Sequence, residues 1–501
     1  MMRSTHSTIA FMLMLALAVG PASAQERDVR IRLLDLNEPV TIALSAHDGS
    51  VRLHAGDHEE PLMQLLPEHK ALVSRASNQL HVEVDGLALF AASLRVEPED
   101  GAHFGVEIRD DATGGRLRRY AGRLFVTADG SDWEIQLINE VPLEEYVASV
   151  VASEYGFDDL AGAKAMAVLV RTYTLGALGK YGPEYDHVDH TLSQVYGGLD
   201  RVTPVSLEAT RQTGGQVLTY DDELVRAVYF STSGGHTADN ETVWDGPPLP
   251  YLRGKPDPYG DTSPHAAWST RISRPRLLAE LRSAYGQDIN GFVIGERSPD
   301  GRVTSIALLH ADGSRQTING NEFRLLATRL FGARSIRSTL FDARRDGNEY
   351  VFEGRGFGHG VGLSQWGAHD MAQRGNSYTD ILNFYFAGVE LSRLDDASGA
   401  GVHVAEASAR RVGEMATRTD GASEQSGRAS EADAAADVPV RQASDRASNS
   451  ASAAEAPNAS SESHRTSESP SASESGPDRG VEDDARSEPD GAQVRPRRIG
   501  W

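Results

Sequence analysis

From residue 25 to about residue 139 the chain alternates apolar and polar positions in short runs: IRLLDL, VTIAL, VRLHA, LHVEV and GVEIRD. Runs of period two, broken by Asp48-Gly49, Asp85-Gly86 and Gly114-Gly115, predict short strands joined by turns. The stretch RLFVTADGSDWEIQLINEV predicts one more strand–turn–strand hairpin. At Leu143 the period changes. Leu143, Tyr146, Val147 and Val150 follow the i, i+3, i+4, i+7 spacing of one apolar helix stripe. The next position on that stripe is Glu154, almost three whole turns past Leu143. A carboxylate on a buried helix face is costly unless it is paired, neutralised or used. Glu154 is therefore the candidate acid, against the alternative of a buried glutamate satisfied by Arg171 in an ion pair.

Gly156 is a natural end for that helix, and Asp158 or Asp159 a natural cap for the next. The second helix carries Lys164 and Arg171 on one face with Val168 between them. Lysine occurs only at 70, 164, 180 and 255, so a lysine inside a helix of Ala, Met, Val and Leu points to a need for a compact ammonium. A snorkelling Lys164 and a surface Arg171 are the plainer alternative.

Beyond the helical pair, YDHVDHTLSQVYGGLD reads as a loop ending in a short strand. A helix, a hairpin around Tyr220 to Glu223, and a polar loop follow. In that loop Ser231, Thr232, Ser233, Gly234, Gly235 and His236 place hydroxyls and backbone amides side by side, either as a surface for sugar hydroxyls or as an ordinary turn. Residues 263–338 read as an inserted α+β piece: RLLAELRSAYG helical, VTSIALLHA a strand, NEFRLLATRLF helical. In GRGFGHGVGLSQWGAHDMAQRG glycines recur at 354, 356, 358, 360 and 362. An extended strand would turn them all to one side, a bare face that lets another backbone or a ligand approach. The spacing does not match GxGxxG and no strand–helix nucleotide unit follows, which excludes a dinucleotide site. Ser364 caps a helix beginning near Gln365, and a last aromatic helix starts at Tyr378.

Composition then narrows the class. Apolar residues make up 39% of the 501, enough for two or three domains with real cores. The start of the chain, with Arg3, an apolar run and Ala22-Ser23-Ala24, predicts a secretory leader over 1–24 and an exported, periplasmic or extracellular protein. That run is too short to span a bilayer comfortably, so no transmembrane anchor is expected after cleavage. The chain has no cysteine, hence neither disulfide nor thiolate metal site. A net charge of −23 argues against a nucleic-acid partner. Residues 393–501, rich in Ala, Ser, Glu and Asp, cannot bury enough apolar surface to offset chain entropy and predict a disordered tail.

Three blocks now stand in order: PLEEYVASVVASEYG with LAGAKAMAVLVRTYTL, then QVYGG with YFSTSGGHTADNETVWDGPPLPYL, then GRGFGHGVGLSQWGAHDMAQRG. Together, over residues 116–391, they resemble the family of sporulation stage II protein D and the amidase enhancer LytB. The resemblance implies a mixed α+β core over 140–392, preceded by the β-rich region at 25–139. It implies a lytic transglycosylase acting on peptidoglycan glycan strands without a cofactor, or a noncatalytic wall-binding enhancer of an N-acetylmuramoyl-amidase. The family's acid falls on Glu154, its supporting Lys and Arg on Lys164 and Arg171, and its GHGxGxSQxGA block on His359, Ser364 and Gln365; Tyr173, Gln194, Ser233 and His236 are further candidates for binding the substrate or supporting the site. Some members carry zinc-associated Cys and His before QVY. Here those positions are Val188, Leu192 and Ser193, and His187, His190 and His236 match no zinc spacing well, so no metal is expected.

A transglycosylase needs a carboxylic acid still protonated near neutral pH, and an apolar helix face raises a carboxyl pKa by desolvation. Lys164 and Arg171 are then expected to hold a substrate carboxylate, since direct pairing with Glu154 would oppose the acid role.

Overall fold

In a computed structural model the described residues are 27–34, 37, 39–109, 115–128, 134–244 and 246–394. The expected leader at 1–24 lies outside them, as does the expected tail at 393–501 apart from Leu394 and Arg393, which ends the strand Glu390–Arg393. The architecture is mixed α+β. Seven α-helices occur among the described residues: α1 Leu143–Glu154, α2 Leu160–Gly176, α3 Pro204–Gln212, α4 Arg274–Tyr285, α5 Gly320–Phe331, α6 Gln365–Gln373 and α7 Tyr378–Tyr385.

The alternating region supplies six strands to each of two sheets, and a short strand from beyond α2 makes the first a sheet of seven. Alternate residues of Gln136–Pro142 turn inward, as period two requires, and the inward side chains of both sheets join one core with α1 and α2. The strand Asp28–Leu33 has a special place. One edge pairs antiparallel with Gln136–Pro142, which runs straight into α1. Its other edge pairs parallel with the short strand His187–Val188. Asp186 and Asp189 strengthen that seam by accepting the main-chain N–H groups of Arg30 and Leu34, at 3.0 and 2.9 Å. One strand thus aligns the acid-bearing helix with the loop that reaches Gln194. The short strand lies at the start of YDHVDHTLSQVYGGLD, not at its end as expected, because that start is where an unfilled sheet edge is available.

α1 buries Leu143, Tyr146, Val147, Val150 and also Glu154, its last helical residue. Asp159 caps α2 by accepting from the Gly162 N–H at 2.7 Å. The rest of α2 is buried along most of its length, which explains its run of Ala, Met, Val and Leu. Ser364 caps α6 in the same way, through the Gly367 N–H.

A second core gathers Trp268, Leu277, Phe292, Phe323, Phe341 and Phe352 between α4, α5 and two three-stranded sheets. It runs past residue 338, since the hairpin of Phe341–Asp346 with Glu349–Gly354 supplies two of its phenylalanines. The Trp268 indole N–H donates to the Gly356 carbonyl at 2.9 Å and ties this core to the glycine run.

That run is not the extended strand expected from its alternation. Only Gly354 belongs to a strand; Gly356, Gly358, Gly360 and Gly362 have φ of 77°, 102°, 90° and 77°. Alternate left-handed residues coil the chain, and only glycine takes them at low cost. The expected close approach of another backbone is present. A Cβ added at Gly362 would lie 2.2 Å from the Val228 carbonyl oxygen, and one at Gly356 2.8 Å from that of Thr232.

Gly362→Ala is expected to destabilise the protein by about 2–5 kcal/mol, from left-handed strain plus overpacking. Gly375→Ala, also left-handed at φ 85° but facing nothing within 4 Å, should cost only about 1 kcal/mol. Denaturant midpoints of the two variants check this, and equal losses would refute the contact.

Candidate active site

Glu154 ends α1 with only 7% of its surface exposed. Its Oε1 accepts the Val195 N–H at 2.9 Å, and its main-chain carbonyl accepts Gln365 Nε2 at 3.0 Å. The three sequence blocks therefore meet at one residue: the first carries the acid, QVYGG grips its carboxylate, and the glycine block grips its backbone.

Three buried or half-buried tyrosines feel the Glu154 charge. Burial first, and then in part the Glu154 charge, push the hydroxyls of Tyr146, Tyr173 and Tyr229 above the ordinary phenol range. They stay protonated at any physiological pH. Gln194, buried beside them, fixes two: its Oε1 accepts from Tyr146 at 3.4 Å and Thr174 at 3.0 Å, and its Nε2 donates to the Tyr229 hydroxyl at 3.1 Å. An amide that donates at one end and accepts at the other does what a carboxylate could not. Tyr173 lies half-buried with its ring against His187 and its hydroxyl near Ser193.

Other expected residues lie near the site without facing the acid. His359 is 6% exposed and engaged at both ring nitrogens. Nδ1 accepts the Val361 N–H at 3.1 Å, so the proton sits on Nε2, which donates to the Tyr229 carbonyl at 3.0 Å. Burial above all, with nearby arginine charge, pushes its pKa down to about 3. A histidine so held is a neutral clasp between glycine run and strand, not a base. Ser233 is fully buried, accepts the Gly235 N–H and bonds the buried Asp257, which Tyr385 also contacts. Ser231 and Thr232 are buried with it, so this loop presents no row of hydroxyls to solvent. His236 Nδ1 bonds the Thr237 carbonyl, while the Ser233 and His236 carbonyls accept from the buried Arg302 of the second core at 3.0 and 2.9 Å.

Arg171 and Lys164 have partners of their own, away from the Val195 N–H that holds the acid. The buried Arg171 guanidinium makes a two-pronged pair with Glu144, Nε to Oε1 at 2.8 Å and Nη2 to Oε2 at 2.6 Å, and also donates to the Gln216 carbonyl. It pins the start of α1 to α2. Lys164 projects over the Tyr378 ring at 5.4 Å. Shared helical phase put both on one face, but that face turns toward α7 and the Gln216–Tyr220 strand.

Of the histidines weighed for metal, His187 is buried and bonds the Thr174 carbonyl at 3.1 Å. Among the described residues no group of three or more His, Asp or Glu side chains could hold a metal ion. None of the described helices is long and apolar enough to cross a membrane. Sequence reading missed Tyr229, Val195 and Asp257. Tyr146 was visible only as a member of the apolar stripe, two helical turns before Glu154.

A mixed α+β protein in which three distant blocks converge on one buried glutamate is the class this geometry defines. Residues 131–220 match the family described as Stage II sporulation protein, and residues 262–362 match a domain of unknown function. Stage II sporulation protein D of Bacillus subtilis is 31% identical over 278 residues, 52% of this chain and 77% of that one. An uncharacterised protein of Brachyspira hyodysenteriae is 26% identical over 375 residues, covering 74% of this chain and 94% of its own. The amidase enhancer of Bacillus subtilis is 27% identical over 278 residues, 46% of this chain and 38% of its own length. The chain belongs to the stage II sporulation protein D family.

Two of the buried histidines, His187 and His359, set an acid limit. Burial lowers His187 to about 4 and His359 to about 3, below the ordinary value of 6.5 that the unfolded chain regains. The unfolded state therefore binds more protons between these values. Stability should be full above pH 6.5 and fall as pH drops toward 4, by up to about 1.4 kcal/mol per unit for each histidine. Urea midpoints from pH 7 to 4 measure the slope, and His359→Gln should flatten it.

Proposed function

We propose that the protein is an exported enzyme that cleaves peptidoglycan glycan strands, breaking the bond from N-acetylmuramic acid to N-acetylglucosamine and leaving 1,6-anhydromuramyl ends. Membership in the stage II sporulation protein D family supports action at the cell wall. One observation carries the finer reading: Glu154 is sequestered at the end of α1, with Val195 on its carboxylate and Gln365 on its backbone.

In this reading the protonated Glu154 gives its proton to the glycosidic oxygen as the C1–O bond breaks and positive charge grows on the muramyl ring. The resulting carboxylate then takes the proton of the muramyl C6 hydroxyl, whose oxygen closes on C1. No water is consumed, and the glutamate ends as it began. A second carboxylate nucleophile has no step to perform, unlike in ordinary retaining hydrolysis. The neutral hydroxyls of Tyr146, Tyr173 and Tyr229 act as fixed dipoles around the carboxylate while its charge comes and goes. Val195 N–H orients one oxygen throughout.

A second reading has its own support, the match to an amidase enhancer. There the same fold would bind glycan and stimulate a separate N-acetylmuramoyl-amidase without cutting the strand.

Mass spectrometry of purified glycan strands after incubation separates the two. Wild type is expected to release anhydromuramyl ends, and Glu154→Gln to lose at least about a hundredfold of that rate with an unchanged melting temperature. Intact strands with both proteins, together with amidase stimulation by both, would favour the enhancer.

A further inference from the structure

The helix α6 turns one side outward. Gln365, Gly367, Ala368 and Met371 are buried, while Trp366, His369, Asp370 and the cap residue Arg374 are half-buried or exposed, at the i, i+3, i+4, i+8 spacing of a single face. That face begins next to the acid, because Gln365 holds the Glu154 carbonyl and Trp366 follows it. Three residues past Glu154 comes Phe157. Its half-buried ring lies flat on His369 at 4.2 Å and nearly perpendicular to Trp366 at 4.9 Å. His369 Nδ1 bonds the Asp159 carboxylate at 2.7 Å, which fixes the stack in place.

Farther along α6 a second pair of rings adjoins the first. Asp370 accepts the Gly260 N–H at 3.0 Å, and a Cβ added at Gly260 would lie 3.3 Å from that of Trp366, so residues 259–260 are laid against the helix. Tyr259 meets Phe384 of α7 with ring centres 5.3 Å apart, and both are half-buried. Each ring carries a cation. The Lys255 ammonium stands 3.6 Å from the centre of Phe384, and the Arg374 guanidinium 4.9 Å from that of Tyr259. Arg374 also reaches Asp370, at 3.5 Å. Lys255 enters no ion pair among the described residues. The Asp257 charge that bears on it is buried and bonded to the Tyr385 hydroxyl and the Tyr259 N–H. A lysine left to an aromatic ring is an uncommon feature in a chain of net charge −23.

Rings and positive charge along one strip match one kind of ligand. A pyranose presents a face of C–H groups that packs on an aromatic ring, and muramic acid and stem peptides add carboxylates. At 1.5 Å per residue the nine residues of α6 run about 13 Å, room for more than one sugar. We infer that the outward side of α6, from Phe157 and Trp366 to Tyr259 and Phe384, binds the anionic glycan strand beyond the Glu154 site, with Lys255 receiving one of its carboxylates. The inference rests on the glycan reading of that site and holds whether the strand is cut or only bound. Chemistry stays at Glu154, so these groups act on affinity.

The test measures dissociation constants for the full chain carrying Glu154→Gln, alone and combined with Lys255→Gln, Lys255→Arg or Phe384→Leu. Three ligands are compared: glycan strands stripped of stem peptides, strands that keep them, and oligomers of N-acetylglucosamine, which have sugar rings without a carboxylate. Lys255→Gln is expected to weaken charged strands about tenfold and leave the oligomers unchanged, while Lys255→Arg keeps most of the affinity. Phe384→Leu keeps the apolar volume without the flat face and should weaken all three ligands about three- to tenfold at an unchanged melting temperature. A Lys255→Gln loss limited to peptide-bearing strands assigns the carboxylate to the stem peptide, and an equal loss on both strands assigns it to the lactyl group. Equal Lys255→Gln losses on strands and oligomers, no change with Lys255→Gln, no change with Phe384→Leu, or no strand binding at all would overturn the inference. Release of anhydromuramyl ends by wild type is followed separately. Its absence removes the enzyme reading and leaves the constants to decide this surface, whereas cutting with every constant unchanged removes the surface alone.

Discussion

Peptide planes at 356–362 lie against those at 228–233 with no room for a Cβ between them, and the site depends on that contact. Left-handed glycines let the run coil while each turn presses on a neighbour: Gly358 on Phe230, Gly360 on the Arg302 guanidinium, Gly362 on the Val228 carbonyl. The contact ends in the parallel pairing of Tyr229–Phe230 with Leu363–Ser364. Ser364 then caps α6, and Gln365 emerges where its amide meets the end of α1. Move the run outward by one side chain and Gln365 loses Glu154.

Several polar groups in this interior have a fixed duty. Arg171 binds the start of α1 to the start of the Gln216–Tyr220 strand, a buried cation that would be costly without the paired Glu144. His359 joins the glycine run to the carbonyl of Tyr229, and Arg302 brings the second core to the carbonyls of Ser233 and His236. Gln194 aligns tyrosines around the acid. Hydrogen-bonded groups of this kind fix geometry more sharply than apolar packing does, because an orphaned donor in the core is heavily penalised. Gln194, His359 and Gln365 hold together the loops and helix ends around Glu154.

Part of this was legible in the chain. Alternation gave the strands, the apolar stripe gave α1 and its odd acid, and Asp159 and Ser364 announced their helices as caps. The meaning of a shared face was not legible. Lys164 and Arg171 do lie on one side of α2, but helical phase says only that they point together, not at what. The glycine alternation was read as a strand because period two is the strand period, whereas four positive φ angles give the same spacing in a coil. Ser231, Thr232 and Ser233 looked like surface hydroxyls, since nothing local reveals that a glycine run will cover them.

What the sequence determined by itself was local: periodicity, caps, the misplaced glutamate, and three blocks whose order identifies the family. Such features depend on neighbours within a turn or two, so they can be read in one dimension. Only the tertiary structure decided which groups surround the acid. Val195 and Gln365 are distant along the chain from Glu154 and from each other, and they meet it through a sheet edge and a glycine contact. Long-range pairing of that sort carries no local signature, because the partner's position is set by how whole layers pack.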